Sequence, residues 1–301
     1  MTGAAAPSRS TLWAVLLLAV LPLVFGYNWV VMKRVLDHVG PFEFAALRFI
    51  LGAAVLFAVL AARRQPLALP HPGPVILVGL FQYTANIGLV LWALRGGPIG
   101  RAALLNYAMP LWVVLMAWPL LKERPTRPQW MALGAASMGI TLLFVSRGIQ
   151  GRTHAALLAL LSGICWACAT VLSKHLLSRL KMDPLLLTAW QMLAGGLVLA
   201  AVALLFPGRP TQWAAPYFIF ALAWEVLPAT AMAWFLWNVL LKRVDASVAG
   251  IVVLSAPLVG ILSAAIELRE IPRGLEALGM VLIVLSLVFV GPLAVRQVRS
   301  S

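Results

Sequence analysis

The sequence predicts an all-α integral membrane protein, with ten transmembrane helices arranged as an inverted five-plus-five repeat around a central cavity. Three observations lead there. Of the 301 residues, 62% are hydrophobic and only 11% charged, and the mean hydropathy of +0.97 is not that of a water-exposed globule. The apolar residues come in stretches of about 20, which at roughly 1.5 Å per residue cross about 30 Å of hydrocarbon. The chain also contains one unit twice: Pro110 and Glu123 stand thirteen residues apart, as do Pro257 and Glu270, and a shift of 147 positions carries one pair onto the other.

A short tail, 1–11, precedes the first repeat, 12–146, whose apolar stretches fall at about 12–32, 42–62, 74–94, 102–121 and 128–146. A linker, 147–154, leads to the second repeat, 155–294, with stretches at about 155–177, 184–206, 216–240, 247–267 and 274–294, followed by a basic tail, 295–301. The loops carry turn punctuation: Gly40-Pro41, Gln65-Pro66, Gly96-Gly97-Pro98, Arg124-Pro125, Pro207-Gly208 and Ile271-Pro272. Further matches support the duplication. Pro41, Arg48 and Gly52 share the spacing of Pro184, Gln191 and Gly195, the run Phe25 to Lys33 aligns with Trp166 to Lys174, and Pro125 pairs with Pro272. The first stretch has no small-residue cleavage site, and its counterpart, Ala155 to Lys174, lies mid-chain, so it reads as a helix and not as a signal peptide.

Five helices per repeat is an odd number, so the second repeat enters the membrane from the opposite face. With both termini inside, inner segments hold thirteen Lys or Arg (Arg9, Arg63, Arg64, Lys122, Arg124, Arg127, Lys174, Arg179, Lys181, Lys242, Arg243, Arg296, Arg299). Outer loops hold nine (Lys33, Arg34, Arg95, Arg101, Arg147, Arg152, Arg209, Arg269, Arg273). That excess places both termini in the cytoplasm. The net charge of +14 therefore belongs to loops that meet headgroups, which makes the lipid bilayer the partner and excludes nucleic acid. Cys165 and Cys168 lie mid-helix without the strand-to-helix setting of a redox motif. All four histidines, His38, His71, His154 and His175, read as loop residues, so neither a metal site nor any cofactor is expected. A G-x4-G-K-[ST] phosphate loop is absent too, and no enzyme is indicated.

Chemistry is sought among polar residues too deep to reach water at either face. Such groups are costly in hydrocarbon and face a bundle interior or a wet cavity. The candidates for lining a substrate cavity are Asn28, Tyr83, Asn86, Asn106, Tyr107, Trp166, Gln191 and Trp237. Gln82, Trp234 and Asn238 fall at the same helical spacings. Interhelical hydrogen bonding is the alternative role for each. Trp13, Trp29, Trp92, Trp118, Trp130 and Trp213 lie near helix ends, where interfacial belts form, whereas Trp112, Trp166 and Trp224 lie near helix middles. Tyr83, Tyr107 and Trp166 offer flat apolar walls with hydrogen-bonding tips, suited to a neutral or zwitterionic small molecule.

Pro110 and Pro257 are expected in the middle of equivalent helices, where each frees a carbonyl, that of Asn106 or Val253, as an acceptor for an ammonium group and forms a hinge. Arg48 is the one basic residue clearly inside a span, expected to snorkel outward or to pair with Glu43. Glu225 is the one acid far from both faces, with no acidic counterpart in the first repeat; it is the candidate for exchanging protons as a coupling ion, the competing reading being a neutral or hydrogen-bonded glutamate that ties the eighth helix to a neighbour.

The segments Phe25-Gly26-Tyr27-Asn28-Trp29 with Lys33, and Pro41-Phe42-Glu43-Phe44-Ala45-Ala46-Leu47-Arg48-Phe49, together with Pro110 and Glu123, resemble the EamA branch of the drug/metabolite transporter superfamily. Within it the aromatic interior is similar to the bacterial YddG-type amino-acid exporters. The resemblance covers both repeats and implies ten helices, cytoplasmic termini and a cavity lined by the first four helices of each half. It carries the expectation of a bacterial inner-membrane exporter of neutral, aromatic and hydrophobic amino acids, working by alternating access as a secondary transporter or facilitator. Efflux of other small metabolites or amphipathic drugs, or a part in a lipid-carrier flippase, are the alternatives.

Overall fold

A chain segment in hydrocarbon must satisfy its backbone N–H and C=O groups internally, and the computed structural model does so with helices alone among the described residues, which are 9–69, 71–96, 99–146, 153–253, 256–267 and short pieces between 274 and 286. The tails 1–8 and 295–301, linker residues 147–152 and most of the expected span 274–294 lie outside them. The first half comprises α1 (Arg9–Val35), α2 (Pro41–Ala62), α3 (Pro72–Gly79), a π-helical segment (Leu80–Ile87), α4 (Gly88–Gly96), α5 (Ile99–Asn106), α6 (Met109–Leu121) and α7 (Arg127–Ser146). The second comprises α8 (Thr153–Ser178), α9 (Pro184–Leu205), α10 (Pro216–Trp224), a second π-helical segment (Glu225–Met232), α11 (Ala233–Arg243), α12 (Ala246–Val253) and α13 (Ala256–Glu267). Five continuous helical stretches among the described residues are long and apolar enough to cross a membrane: Pro41–Ala62, Pro72–Leu94, Leu157–Ser178, Pro184–Leu205 and Pro216–Arg243. The protein is a multi-pass membrane protein.

Helix starts follow from local chemistry. Proline opens α2, α3, α9 and α10, where its missing N–H would have had no partner anyway, and the Asp183 carboxylate caps α9 by accepting from the N–H groups of Leu185 and Leu186.

Two features depart from the continuous helices expected. The stretch 102–121 is broken: α5 ends at Asn106 and α6 starts at Met109, so Pro110 sits in the first turn of a new helix and not in the middle of one. Without an N–H at Pro110 the helix cannot continue through the Asn106 carbonyl. The break is bridged by tighter turns, with Ala108 N–H on Leu105 O at 3.3 Å and Leu111 N–H on Ala108 O at 3.1 Å. The freed Asn106 carbonyl faces the second half. It abuts α8, where a Cβ on Gly163 would stand 2.7 Å from it. Pro257 likewise falls at the second residue of α13; its side chain and the 254–255 junction before it lie outside the described residues.

The other departure is the widening of the third helix of each half to π geometry at closely matching places. In the second half Pro228 supplies a cause, since its ring displaces a carbonyl of the preceding turn. Each π segment places polar groups in the interior, Gln82, Tyr83 and Asn86 in one, Glu225 and Thr230 in the other.

Packing between the halves is reciprocal. α2 lies along α9; α1 packs on α13 as α8 packs on α6; α9 crosses the first π segment as α2 crosses the second. Small residues permit a close crossing of α9 over α3 and the first π segment. A Cβ on Gly195 would stand 2.6 Å from both the Gly79 carbonyl and Tyr83 Cβ, and one on Gly79 would stand 2.5 Å from the Gln191 carbonyl. Leu204 and Ile266, 84% and 80% exposed, lie on the outer surface that lipid would cover. Gly195→Val should destabilise the protein by about 1–3 kcal/mol through overpacking, read as a lower unfolding midpoint in nanodiscs. Gly134→Ala, where a Cβ meets nothing within 4 Å, is the neutral control. Equal midpoints for the two variants would remove the crossing from the account.

Candidate substrate cavity

Where the two halves meet, α1, α2, the first π segment, α4, α5, α8 and α11 enclose a cavity of about 30 Å³, room for one or two waters. Its wall is aromatic and amide. Phe25, Asn28, Trp29 and Met32 come from α1, Asn86 and Ile87 from the π segment, Asn106 and Tyr107 from the α5 end, Trp166 from α8 and Trp234 from α11. Trp166 is the hub, with ring centroids 5.5 Å from Tyr107, 5.9 Å from Trp234, 5.9 Å from Trp237 and 6.3 Å from Phe25. Edge-on contacts of this kind hold the rings in place.

The largest electrostatic feature is a buried ion pair. Arg48, 1% exposed and on the cavity wall, places Nη1 2.8 Å from Glu225 Oε2, with Glu225 fully buried. The guanidinium also donates from Nε to Thr230 Oγ1 at 3.0 Å and lies 4.8 Å from the Phe49 ring centre. With its amide turned as its neighbours require, Asn28 donates to Glu225 Oε1 at 2.9 Å and Oε2 at 3.2 Å. Arg48 therefore neither snorkels nor pairs with Glu43. The Glu43 carboxylate accepts instead from the Gly208 N–H. Glu225, the candidate proton carrier, is partnered within the fold by Arg48 and Asn28.

Of the eight residues proposed to line the cavity, Asn28, Asn86, Asn106, Tyr107 and Trp166 do so. Asn86 and Asn106 also serve as ties, donating to the Ser162 carbonyl and the Ser162 hydroxyl, each at 2.8 Å. Tyr83 and Trp237 stand one ring behind the wall, against Trp234 and Trp166. Gln191 is buried where α9 crosses α3, away from the cavity lining. Asn238 donates to Thr188 Oγ1 at 2.9 Å, a tie from α11 to α9.

Residues missed in the sequence are Arg48, Phe25 and Trp29. Trp29, which by its place near a helix end reads as an interfacial-belt residue, is 3% exposed and its indole N–H reaches the Tyr107 hydroxyl at 3.4 Å. Its position beside Asn28 and four residues after Phe25 was the available signal. Trp92, Trp118, Trp130 and Trp213 are exposed, and the Trp13 side chain lies outside the described residues. His154 and His175 fall in the end turns of α8, not in loops, and no cluster among the described residues fits a metal ion.

Polar ties cross between the halves at both ends of the cavity. At one end Arg34 meets Glu267 at 2.8 Å, and the loop before α10 folds onto the α1–α2 loop through Gln212 N–H on His38 O at 2.9 Å and through Arg209 on the Asp37 carbonyl. At the other, the Glu123 carboxylate caps α12, accepting from the N–H groups of Ala246 at 3.1 Å and Ser247 at 3.3 Å. Burial pushes the Glu123 carboxyl up, and its hydrogen bond from Ala246 pulls the other way. Lysines repeat one device: Lys33 Nζ donates to Leu94 O at 2.7 Å and Lys174 Nζ to Leu241 O at 2.8 Å, each closing the end of the third helix of its own half.

A helical membrane protein with a polar and aromatic cavity between two packed halves has the build of a solute carrier. Comparison with known proteins supplies the class. The EamA-like transporter family model matches residues 12–145 and 153–291, and the chain belongs to that family. It is 30% identical over 285 residues to the uncharacterized transporter YvbV of Bacillus subtilis, covering 91% of this chain and 90% of the relative. It is 28% identical to a probable amino-acid metabolite efflux pump of Salmonella typhimurium, covering 88% of this chain and 90% of that one. A crystal structure 24% identical in sequence superposes with a TM-score of 0.75 over 97% of this chain and 99% of its own, a likeness of fold.

Glu123→Ala should cost about 1 kcal/mol, the usual worth of a helix cap, and lower the unfolding midpoint. Ser247→Ala keeps both backbone bonds to Glu123 and should cost less. A midpoint unchanged by Glu123→Ala would deny the cap its role.

Proposed function

We propose that the protein exports neutral amino acids, aromatic and hydrophobic ones, across the bacterial inner membrane by alternating access of two inverted five-helix halves, 12–146 and 155–294, with both termini cytoplasmic. The observation that carries this reading is the polar and aromatic cavity at the meeting of the halves. Its wall joins stacked rings, suited to an apolar side chain, with amides and an ion pair, suited to a charged head. The reciprocal packing, the paired π segments and the repeated lysine bonds support two halves of one design. The excess of Lys and Arg in the segments assigned to the inside supports the orientation. A relative's description as a probable amino-acid metabolite efflux pump supports the substrate class and the direction.

Movement needs places to bend. Pro110, at the break at Tyr107-Ala108, and Pro257 are the hinges of this reading, since one adjoins the cavity wall and the other holds the equivalent place in the duplicated sequence. Glu225 could carry a proton, but facing Arg48 it needs none to be compensated. The reading adopted is electroneutral, facilitated transport.

Flux from proteoliposomes loaded with a panel of amino acids, organic cations and sugars tests it. Phenylalanine and leucine should leave fastest. Trp166→Ala and Tyr107→Ala should each slow them about tenfold, the equivalent of about 1.4 kcal/mol of lost ring contact, with insertion unchanged. An imposed pH gradient should not drive the wild type. Flux confined to cations or sugars would sink the amino-acid reading, and a pH-driven flux abolished by Glu225→Gln would make Glu225 the proton carrier.

A further inference from the structure

The Arg48–Glu225 pair raises a question that packing does not answer. A buried ion pair rarely stabilises a fold more than apolar residues of the same size would, because both ions must first be stripped of water. Here it also sits at a ligand cavity: Arg48 forms part of the wall, and Asn28, another wall residue, is bonded to the Glu225 carboxylate. As it stands the cavity is too small for an amino acid with a large side chain such as phenylalanine. Two more wall residues, Trp166 and Trp234, keep buried indole N–H groups without an acceptor among the described residues, and a buried donor without a partner calls for an explanation.

We propose that the ion pair is the receptor for the zwitterionic head of the substrate and is split by it. This inference rests on the amino-acid reading above. The substrate carboxylate takes the place of Glu225 on the Arg48 guanidinium, where a bidentate contact is available. The ammonium group takes the place of Arg48 on Glu225. In the empty carrier the two ions cover each other; in the loaded carrier each covers one end of the ligand. An α-amino acid bears both charges on a single carbon, which suits two ionic groups that touch in its absence. The indole N–H groups of Trp166 and Trp234 are donors to the same carboxylate.

Selectivity follows from this exchange. A ligand with a carboxylate but no amine would displace Glu225 and leave it buried and uncovered; an amine without a carboxylate would do the same to Arg48. Removing one partner of a buried pair is heavily penalised. The net charge of the interior is zero in the empty and the loaded carrier alike, so neither form carries charge across the membrane.

The experiment is equilibrium binding to the purified full-length protein in nanodiscs, with phenylalanine, 3-phenylpropionate and 2-phenylethylamine as probes, and leucine with its matching acid and amine as a second set. Wild type should bind each amino acid at least about 100-fold more tightly than either truncated form. Glu225→Gln should reverse the order for the acid, which then binds more tightly than the amino acid. Arg48→Gln should do so for the amine. A residue that only held helices together would weaken all three probes alike and reverse nothing. Should the variants not fold, the wild-type ratios decide alone: acid or amine within about threefold of the amino acid overturns the exchange while leaving an amino-acid carrier standing. If no amino acid binds or is transported, the functional reading falls and this inference with it.

Discussion

An acid and a base stand where hydrocarbon makes charge costly, and the arrangement around them is ordered by the need to cover both. Arg48 and Glu225 come from different halves, and neither is tolerable without the other. Their remaining valences recruit Thr230 from the second π segment and Asn28 from α1, so one polar cluster fixes three elements at the centre of the bundle. The π geometry belongs to the same requirement. Glu225 opens the second π segment and Thr230 lies within it, and both bond to Arg48 from one short stretch of chain. The Gly79–Gly195 crossing then brings the counterpart π segment tight against α9 and seats Tyr83 behind the cavity wall.

Polar ties join the two halves on either side of the cavity. Arg34 on Glu267 and the loop contacts of His38 and Gln212 join the halves at one end; Glu123 on the start of α12 joins them at the other. These ties differ in strength from the central pair. Arg34 and Glu267 are partly exposed, and exposed pairs contribute little, about 0–1 kcal/mol. Under the proposed cycle one set of ties opens while the other holds, and the central pair yields only to a ligand that replaces both of its charges. A carrier built this way returns empty without carrying charge across.

Much of this was legible in the chain. Polar residues in apolar stretches are conspicuous, and Asn28, Asn86, Asn106, Tyr107 and Trp166 were found for that reason. The pairing of Arg48 with Glu225 was not legible, because helical periodicity says which face a residue occupies and nothing about which distant helix it meets. Trp29 was misread since distance from a helix end is a poor guide when the helix runs on to Val35. Pro110 was placed mid-helix because the apolar run is continuous across the break at Tyr107-Ala108, and hydropathy does not register a turn made of apolar residues. The first π segment has no proline within it, so its widening has no sequence mark comparable to Pro228.

The central claim is that Arg48 and Glu225 act as one unit whose value lies in mutual cover. A double-mutant cycle on unfolding free energy tests it directly, with Arg48→Met, Glu225→Met and both together in nanodiscs. Each single change should cost about 3–5 kcal/mol by leaving a buried charge uncovered, while the double variant should return to within about 1 kcal/mol of the wild type. Additive losses, with the double variant as unstable as the sum of the two, would contradict the claim.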